Sequence, residues 1–260
     1  MTKKRKFRKR RGHSVGLLIG LTDDSAVFWR IFSETVKQNI IIKRERKRKY
    51  QDQKQIYHFH EAIVDKLRPL IKEGIKSVLL ASPPKKDYSK EFLDHINKHH
   101  LWLSKKGRST TVFTEIIGLA KTIKNVNYIV RQDFFKEAVE ETSNQEGLLI
   151  LEALDKLINK PNNYSKILYT IREIEKEIDK RWKSYEIKPN YIILTDEYIK
   201  NSRQKGRIHR ILQIAKNHGI RTKIVNIESE AGIRVNSFGG LVSFTKIGTK
   251  NSNFSLDVKL

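Results

Sequence analysis

The chain has 260 residues, of which 38% are hydrophobic and 32% are charged, so it is long enough for two average domains with a core in each. It contains no cysteine, which excludes disulfides, thiolate catalysis and cysteine-ligated zinc. We find no apolar run near the roughly 20 residues of a membrane span and no apolar core of a secretory signal, and we therefore expect a cytoplasmic protein.

The charge of the chain is strongly positive and unevenly distributed. There are 53 Lys and Arg against 29 Asp and Glu, a formal net charge of +24. Residues 1–130 hold 30 basic and 12 acidic residues, and residues 131–260 hold 23 and 17. Such a chain usually binds a polyanion, because each phosphate that it neutralises releases condensed counterions.

Two basic clusters account for much of the excess charge in the first half. The first consists of Lys3, Lys4, Arg5, Lys6, Arg8, Lys9, Arg10 and Arg11. The second consists of Lys43, Arg44, Arg46, Lys47, Arg48 and Lys49. A run of charged residues can also be a solvated tail or face without a partner. These two runs are almost purely basic, however, with a single acid between them, which favours binding to a polyanion. Nucleic acid is therefore the favoured partner, and an anionic membrane surface is the weaker alternative because neither run has an apolar helical face.

The hydrophobic pattern of the first half predicts a mixed α/β domain that begins with an antiparallel sheet. Period-two alternation predicts strands at residues 15–21, 26–32 and 36–42. A helix is predicted next, with Asp52 as its N-terminal cap and Gly74 at its C-terminal end. Pro69 is expected to bend or end its last turn. The remaining elements are a strand at 75–81, a helix at 89–103 with Phe92, Ile96 and Trp102 inward, a strand at 110–113 and a helix at 114–123.

The second half continues to alternate helices and strands. A long helix is predicted at 133–159, interrupted near residues 143–147. Further strands are predicted at 167–170, 191–195, 221–227 and 240–247, and further helices at 171–182, 203–217 and within 228–238. We predict three segments: a basic disordered tail (1–14), a central domain (15–130) and a C-terminal domain (131–260).

Residues 228–242 contain the most specific motif of the chain. A serine followed by an acidic residue, Ser229-Glu230, leads into a short helix with Gly232, and Gly239-Gly240 precedes a final apolar strand. Gly232 permits close packing of the helix, and Gly239-Gly240 permit the turn into the strand. The motif resembles the C-terminal signature of the Pelota and class-1 release factor superfamily, and the order of elements over residues 15–250 is similar as well.

The resemblance implies both a fold and a function. It implies a ribonuclease-H-like central domain and an α/β/α C-terminal domain like the kink-turn-binding ribosomal proteins. Members occupy the ribosomal A site and face a translational GTPase or the ribosome-recycling ABC ATPase. We therefore expect a ribosome-binding and rRNA-binding factor for ribosome rescue, recycling or dormancy, with rRNA contacts from the 43–49 cluster, then the tail, then Lys85 and Lys86.

Two departures from the family refine this expectation. We expect the N-terminal decoding domain to be absent, because only about 14 residues precede the first strand, fewer than the ~40 that a domain needs. The Gly-Gly-Gln tripeptide of release factors is also absent, and Gln51 or Gln53 alone lacks its flexible glycines. We therefore expect no peptidyl-tRNA hydrolysis.

Other functions remain as alternatives. The chain could be a free-standing protein that binds structured RNA. A metal-dependent ribonuclease would use Asp23 and Asp24, but a hairpin turn favours Asp there for backbone reasons. Five histidines suggest a metal site, although without a His-Glu-x-x-His motif we expect them to be solvated on helix faces: His58, His60, His95, His99 and His100. We assign no catalytic residue, no metal and no cofactor.

Overall fold

The computed structural model describes residues 14–32, 35–44, 53–104, 110–161, 165–180 and 188–245. The chain divides into two compact units, the first ending at Glu146 and the second starting at Gly147. The division lies inside one long helix, and each unit is described by itself below. The domain boundary at residue 131 stays a prediction.

The described part of the first unit contains a five-stranded mixed sheet. Its strands are β1 (Ser14–Leu21), β2 (Ser25–Phe32), β3 (Val36–Lys43), β4 (Ser77–Ser82) and β5 (Val112–Ile117). Their order is β3-β2-β1-β4-β5. The first three strands are antiparallel, as predicted, whereas β1, β4 and β5 run parallel to one another.

Helices cover both faces of this sheet because β1, β2 and β4 are buried on both sides. The helices are α1 (Gln53–Lys72), α2 (Tyr88–His99), α3 (Leu101–Ser104), α4 (Ile123–Ile129) and α5 (Asp133–Asn159). Leu17 and Ile19 of β1 pack with α1 and α2, whereas Leu18 packs on the opposite face with α4 and the start of α5. This alternation is the period-two pattern that the sequence shows.

Several predicted elements of the first unit are wrong. Residues 114–117 form the end of β5 and not a helix, since their backbone pairs with β4 up to Ser82 and Ile117. The predicted helix at 89–103 is broken at His100, so that Leu103 is buried and Trp102 is 36% exposed. Pro69 does not end α1, which continues to Lys72 before Gly74 adopts a positive φ of 104°.

The predicted interruption of α5 near residues 143–147 is also wrong. Side-chain hydrogen bonds and close packing hold this polar stretch in the helix. Thr142 donates to the carbonyl of Ala138 at 2.5 Å, and the carboxylate of Glu146 accepts from Ser77 at 2.5 Å. A Cβ at Gly147 would lie 2.8 Å from that of Ala231, so glycine suits the contact there.

The described part of the second unit contains a four-stranded sheet between two helical layers. Its strands are β6 (Ile167–Leu168), β7 (Tyr191–Thr195), β8 (Arg221–Val225) and β9 (Leu241–Phe244), in the order β6-β9-β7-β8. Its helices are α6 (Ile171–Ile178), α7 (Asp196–Asn201), α8 (Lys205–Asn217) and α9 (Glu230–Ser237). Ile193 of β7 packs with α9 and the second half of α5, whereas Ile192 packs with α6 and α8.

The glycines of the 228–242 motif have the roles that the sequence predicts. A Cβ at Gly232 would lie 1.8 Å from the carbonyl oxygen of Asn226, so α9 can approach the preceding loop only through a glycine. Gly239 and Gly240 have φ values of 91° and 82°, which L side chains rarely adopt. They form the turn between α9 and β9.

The close approach at Gly232 predicts a large cost for a single methyl group. Gly232→Ala must displace backbone atoms of Asn226 and Ile227, and we expect it to lower the free energy of unfolding by about 3 kcal/mol. Urea unfolding followed by far-UV circular dichroism measures this change.

The matched control for this substitution is Gly206→Ala. Gly206 lies in α8, and a Cβ there would meet no atom within 4 Å. We expect this variant to gain about 0.5–1 kcal/mol from helix propensity. Equal effects of the two substitutions would contradict the packing at Gly232.

Candidate nucleic-acid interface

One edge of the first sheet brings together the predicted RNA-binding residues that lie in the described part of the chain. The parallel strands β1, β4 and β5 all end at this edge. Because β2 and β3 are antiparallel, β2 begins there and β3 ends there, with Ser25 paired to Lys43. We call this the carboxyl edge. In open α/β sheets, ligands commonly bind at such an edge.

The second basic cluster starts at the carboxyl edge. Lys43 is the last residue of β3 and is exposed. The backbone N–H of Arg44 donates to the carbonyl of Asp24 at 2.8 Å, and its guanidinium Nη1 donates to the carbonyl of Asp23 at 3.4 Å. The turn between β1 and β2 therefore fixes the point from which residues 45–49 continue.

The loop after β4, which contains Pro83 and Pro84 and is called the Pro-Pro loop, places two lysines at the same edge. Lys85 and Lys86 follow β4 and are exposed. The N–H of Lys86 donates to the carbonyl of Pro83 at 3.2 Å, and Lys85 has a φ of 63°. A positive φ at the third position of a turn is usual for glycine and costs a lysine about 1 kcal/mol.

Asp24 forms a structural ion pair at this edge. Its two carboxylate oxygens accept from Nζ of Lys121 at 3.0 and 2.8 Å, and Oδ1 also accepts from the hydroxyls of Thr22 and Ser25. The hydrogen bond from Lys121, followed by those from the two hydroxyls, holds the pKa of Asp24 far below its usual range. Within the described residues, neither Asp23 nor Asp24 belongs to a group of three close potential metal ligands, so the ribonuclease alternative gains no support.

The structure thus unites four of the predicted RNA-binding residues. The carboxyl edge holds Lys43, Arg44, Lys85 and Lys86. The strands that lead to these residues, β3 and β4, are separated by three strand spacings, which is about 14 Å. The other predicted residues lie outside the described part of the chain: Lys3, Lys4, Arg5, Lys6, Arg8, Lys9, Arg10, Arg11, Arg46, Lys47, Arg48 and Lys49. RNA contact by any of these residues stays a prediction.

The expectation of solvated histidines is wrong for three of the five. His60, His95 and His100 are 7%, 7% and 8% exposed, whereas His58 and His99 are exposed. Helix α1 packs against α2 through these rings, and His60 makes an edge contact with Phe92 at a centroid distance of 5.4 Å.

A carboxylate joins two of the buried histidines. Glu61 Oε1 lies 2.9 Å from Nε2 of His95 and 2.8 Å from Nε2 of His100. We call these three residues the Glu61 cluster. The sequence points to the two histidines but not to Glu61, because Glu61 lies 34 residues before His95 and meets it only when α1 packs on α2.

Burial and hydrogen bonding shift the pKa values of His60, His95 and Glu61. Burial lowers the pKa of His60 to about 4, with the neighbouring charges of His95 and Arg44 acting in the same direction. Burial also lowers the pKa of His95, although its hydrogen bond to Glu61 opposes the shift. Burial acts to raise the pKa of Glu61, but the bonds and charges of His100 and His95 outweigh it and hold that pKa below its usual range. Glu61 is therefore ionised at neutral pH.

Comparison with solved structures shows which fold these units form. An archaeal Pelota, described as ribosome-bound together with ABCE1, superposes with a TM-score of 0.52 and 14% sequence identity, over 93% of this chain and 63% of that chain. The chain has a Pelota-like fold. The resemblance predicted from residues 228–242, and the expected pair of α/β units, are confirmed at the level of the fold.

Two further structures have lower TM-scores. Dom34 from S. cerevisiae, a translation termination-like factor that interacts with Hbs1, has a TM-score of 0.49 and 16% identity, over 94% of this chain and 67% of that chain. The archaeal termination factor aRF1 has a TM-score of 0.33 and 14% identity, over 88% and 61% of the respective chains. No family model and no curated protein sequence matches.

The chain spans less than two thirds of the archaeal Pelota to which its fold is similar. Among the described helices, none combines the length and the apolar character needed to cross a membrane.

The left-handed conformation of Lys85 gives a test of the Pro-Pro loop. Lys85→Gly and Lys85→Ala remove the same charge, but only glycine relieves the backbone strain. We expect Lys85→Gly to be more stable than Lys85→Ala by about 1 kcal/mol in urea unfolding. The same pair at Lys86 is the control, and it should show no advantage for glycine. A less stable Lys85→Gly would contradict this loop conformation.

Proposed function

We propose that this chain is a ribosome-associated, rRNA-binding translation factor of the Pelota and release-factor type. It acts in ribosome rescue, recycling or dormancy and does not hydrolyse peptidyl-tRNA. The observation that carries the proposal is the likeness over 93% of the chain to an archaeal Pelota that is described as ribosome-bound. The net charge of +24 independently favours a polyanionic partner.

The carboxyl edge is the proposed rRNA-binding surface of the first unit. Lys43 and Lys85 are exposed there, and the five basic residues 44 and 46–49 follow Lys43 directly in the chain. Lysine and arginine at the end of strands and in loops suit contacts to the phosphate backbone, which depend on charge and not on base sequence. The proposed binding is therefore strong, salt-dependent and insensitive to sequence.

The proposed protein partners follow from the same likeness. The archaeal Pelota structure is described together with ABCE1, and Dom34 is described as interacting with Hbs1. For this chain we propose a ribosome-recycling ABC ATPase or a translational GTPase. The sequence contains no Gly-Gly-Gln tripeptide, which supports a factor that is not itself an enzyme.

Sedimentation with ribosomes and separated subunits across a salt series tests this proposal. The variant replaces Lys43, Arg46, Lys47, Arg48 and Lys49 by Gln, and it keeps Arg44 because that guanidinium is bonded to the turn between β1 and β2. We expect the unchanged chain to co-sediment at moderate salt. The variant should bind more weakly, and its slope of log K against log[salt] should be smaller by about three to five.

A matched control removes the same number of lysines and arginines from the second unit. It replaces five exposed residues by Gln: Lys156, Lys160, Arg172, Arg203 and Lys216. Equal losses in both variants would mean that total charge and not the carboxyl edge sets the binding. If the chain fails to bind ribosomes but binds a kink-turn RNA tightly, the free-standing RNA-binding alternative replaces this proposal.

A further inference from the structure

We propose that the Glu61 cluster is a binding site for one divalent transition metal ion, with zinc as the best match. Glu61, His95 and His100 each offer one ligand atom, and these atoms all lie within 4.8 Å of one another. Two imidazole nitrogens and one carboxylate oxygen are a ligand set that zinc uses when it keeps a fourth position for water. The proposal goes beyond the ribosome-binding function and does not rest on it.

The distances are close to those that a tetrahedral ion needs. With metal–ligand bonds of about 2.0–2.1 Å, neighbouring ligand atoms lie about 3.3 Å apart. Glu61 Oε1 lies 2.9 and 2.8 Å from the two Nε2 atoms, so an outward movement of about half an ångström at each contact would admit the ion.

The backbone holds the two histidines in place before any ion binds. Helix α2 ends at His99, and His100 has φ −130° and ψ 46°, which turns its side chain back toward the face of His95. On a continuous helix, residues five apart would point about 140° away from each other. The N–H of His100 donates to the carbonyl of Ile96 at 2.8 Å, and its carbonyl accepts from Leu103 at 2.8 Å, so the break is fixed on both sides.

Burial and charge favour the ion as well. The side chains of His95 and His100 are 5% and 10% exposed, whereas that of Glu61 is 28% exposed and leaves an open path for an ion and a water. An ionised carboxylate and neutral imidazoles are the forms that bind metals.

Metal binding requires one proton shift on each imidazole. Without metal, each Nε2–H donates to Glu61; with metal on Nε2, the same proton is carried by Nδ1. His100 Nδ1 accepts a long hydrogen bond of 3.4 Å from the indole N–H of Trp102, and a protonated Nδ1 cannot accept it. Trp102 is 36% exposed and can move away. The fluorescence of Trp102 should therefore report binding.

The test uses full-length protein without a histidine tag, treated with EDTA and then titrated with Zn²⁺ by calorimetry. We expect one tightly bound Zn²⁺ per chain, a Tm that rises with Zn²⁺ concentration, and a tetrahedral visible spectrum with Co²⁺. Trp102→Phe should retain Zn²⁺ binding and lose the fluorescence change.

Three variants separate metal ligation from hydrogen bonding. In His95→Gln and His100→Gln the amide can still donate to Glu61, and in Glu61→Gln the amide oxygen can still accept. Each variant should weaken Zn²⁺ binding at least about tenfold while its Tm without metal stays near that of the unchanged chain. The controls are the exposed neighbours His58→Gln and His99→Gln, which should bind as before.

Two results would overturn the site. One is unchanged protein that neither binds nor is stabilised by Zn²⁺, which would make the cluster a hydrogen-bonded network only. The other is binding that survives in the three cluster variants and disappears in His58→Gln or His99→Gln, which would assign it to surface histidines. If a cluster variant fails to fold, the Co²⁺ spectrum and the Tm of the unchanged protein decide alone.

Discussion

The parallel pairing of β1 with β4 is the constraint on which the first unit depends. Parallel neighbours cannot be joined by a tight turn, so α1 must cross over between them, and both faces of the pair must be covered. The chain after β5 packs so closely on β1 that a Cβ at Gly20 would lie 2.4 Å from the carbonyl oxygen of Ala120. That same carbonyl accepts the indole N–H of the buried Trp29 at 2.8 Å, which ties the chain after β5 to the sheet.

This arrangement leaves polar and charged groups at the two ends of the strands. At the carboxyl edge, the ion pair of Asp24 with Lys121 fixes the turn between β1 and β2. The carbonyl of Asp23 in this turn accepts a hydrogen bond from Arg44. The lysines beside it remain exposed. On one face of the same sheet, the packing of α1 on α2 brings Glu61 against His95 and His100. The proposed RNA surface therefore follows from the order of the strands, and the proposed metal site follows from how α1 packs on α2.

The likeness to Pelota rests on backbone geometry more than on shared side chains. Sequence identity to the archaeal Pelota is 14%, yet the two folds superpose over 93% of this chain. Gly232 and Gly240 explain how a short motif can identify such a fold. The first allows contact with a backbone carbonyl, and the second has a positive φ and packs against Tyr198, so few other residues fit either position.

The sequence by itself determined the charge, the alternation of most strands and helices, and the glycine positions of the last turn, because these are local properties. It wrongly predicted a helix at 114–123 and a break in α5, because the pairing with β4 and the contacts of Thr142 and Gly147 involve distant parts of the chain. Only the tertiary structure decided that Lys43 and Lys85 share one edge and that Glu61 meets His95. Both require strands and helices far apart in sequence to pack together, and no local pattern records that.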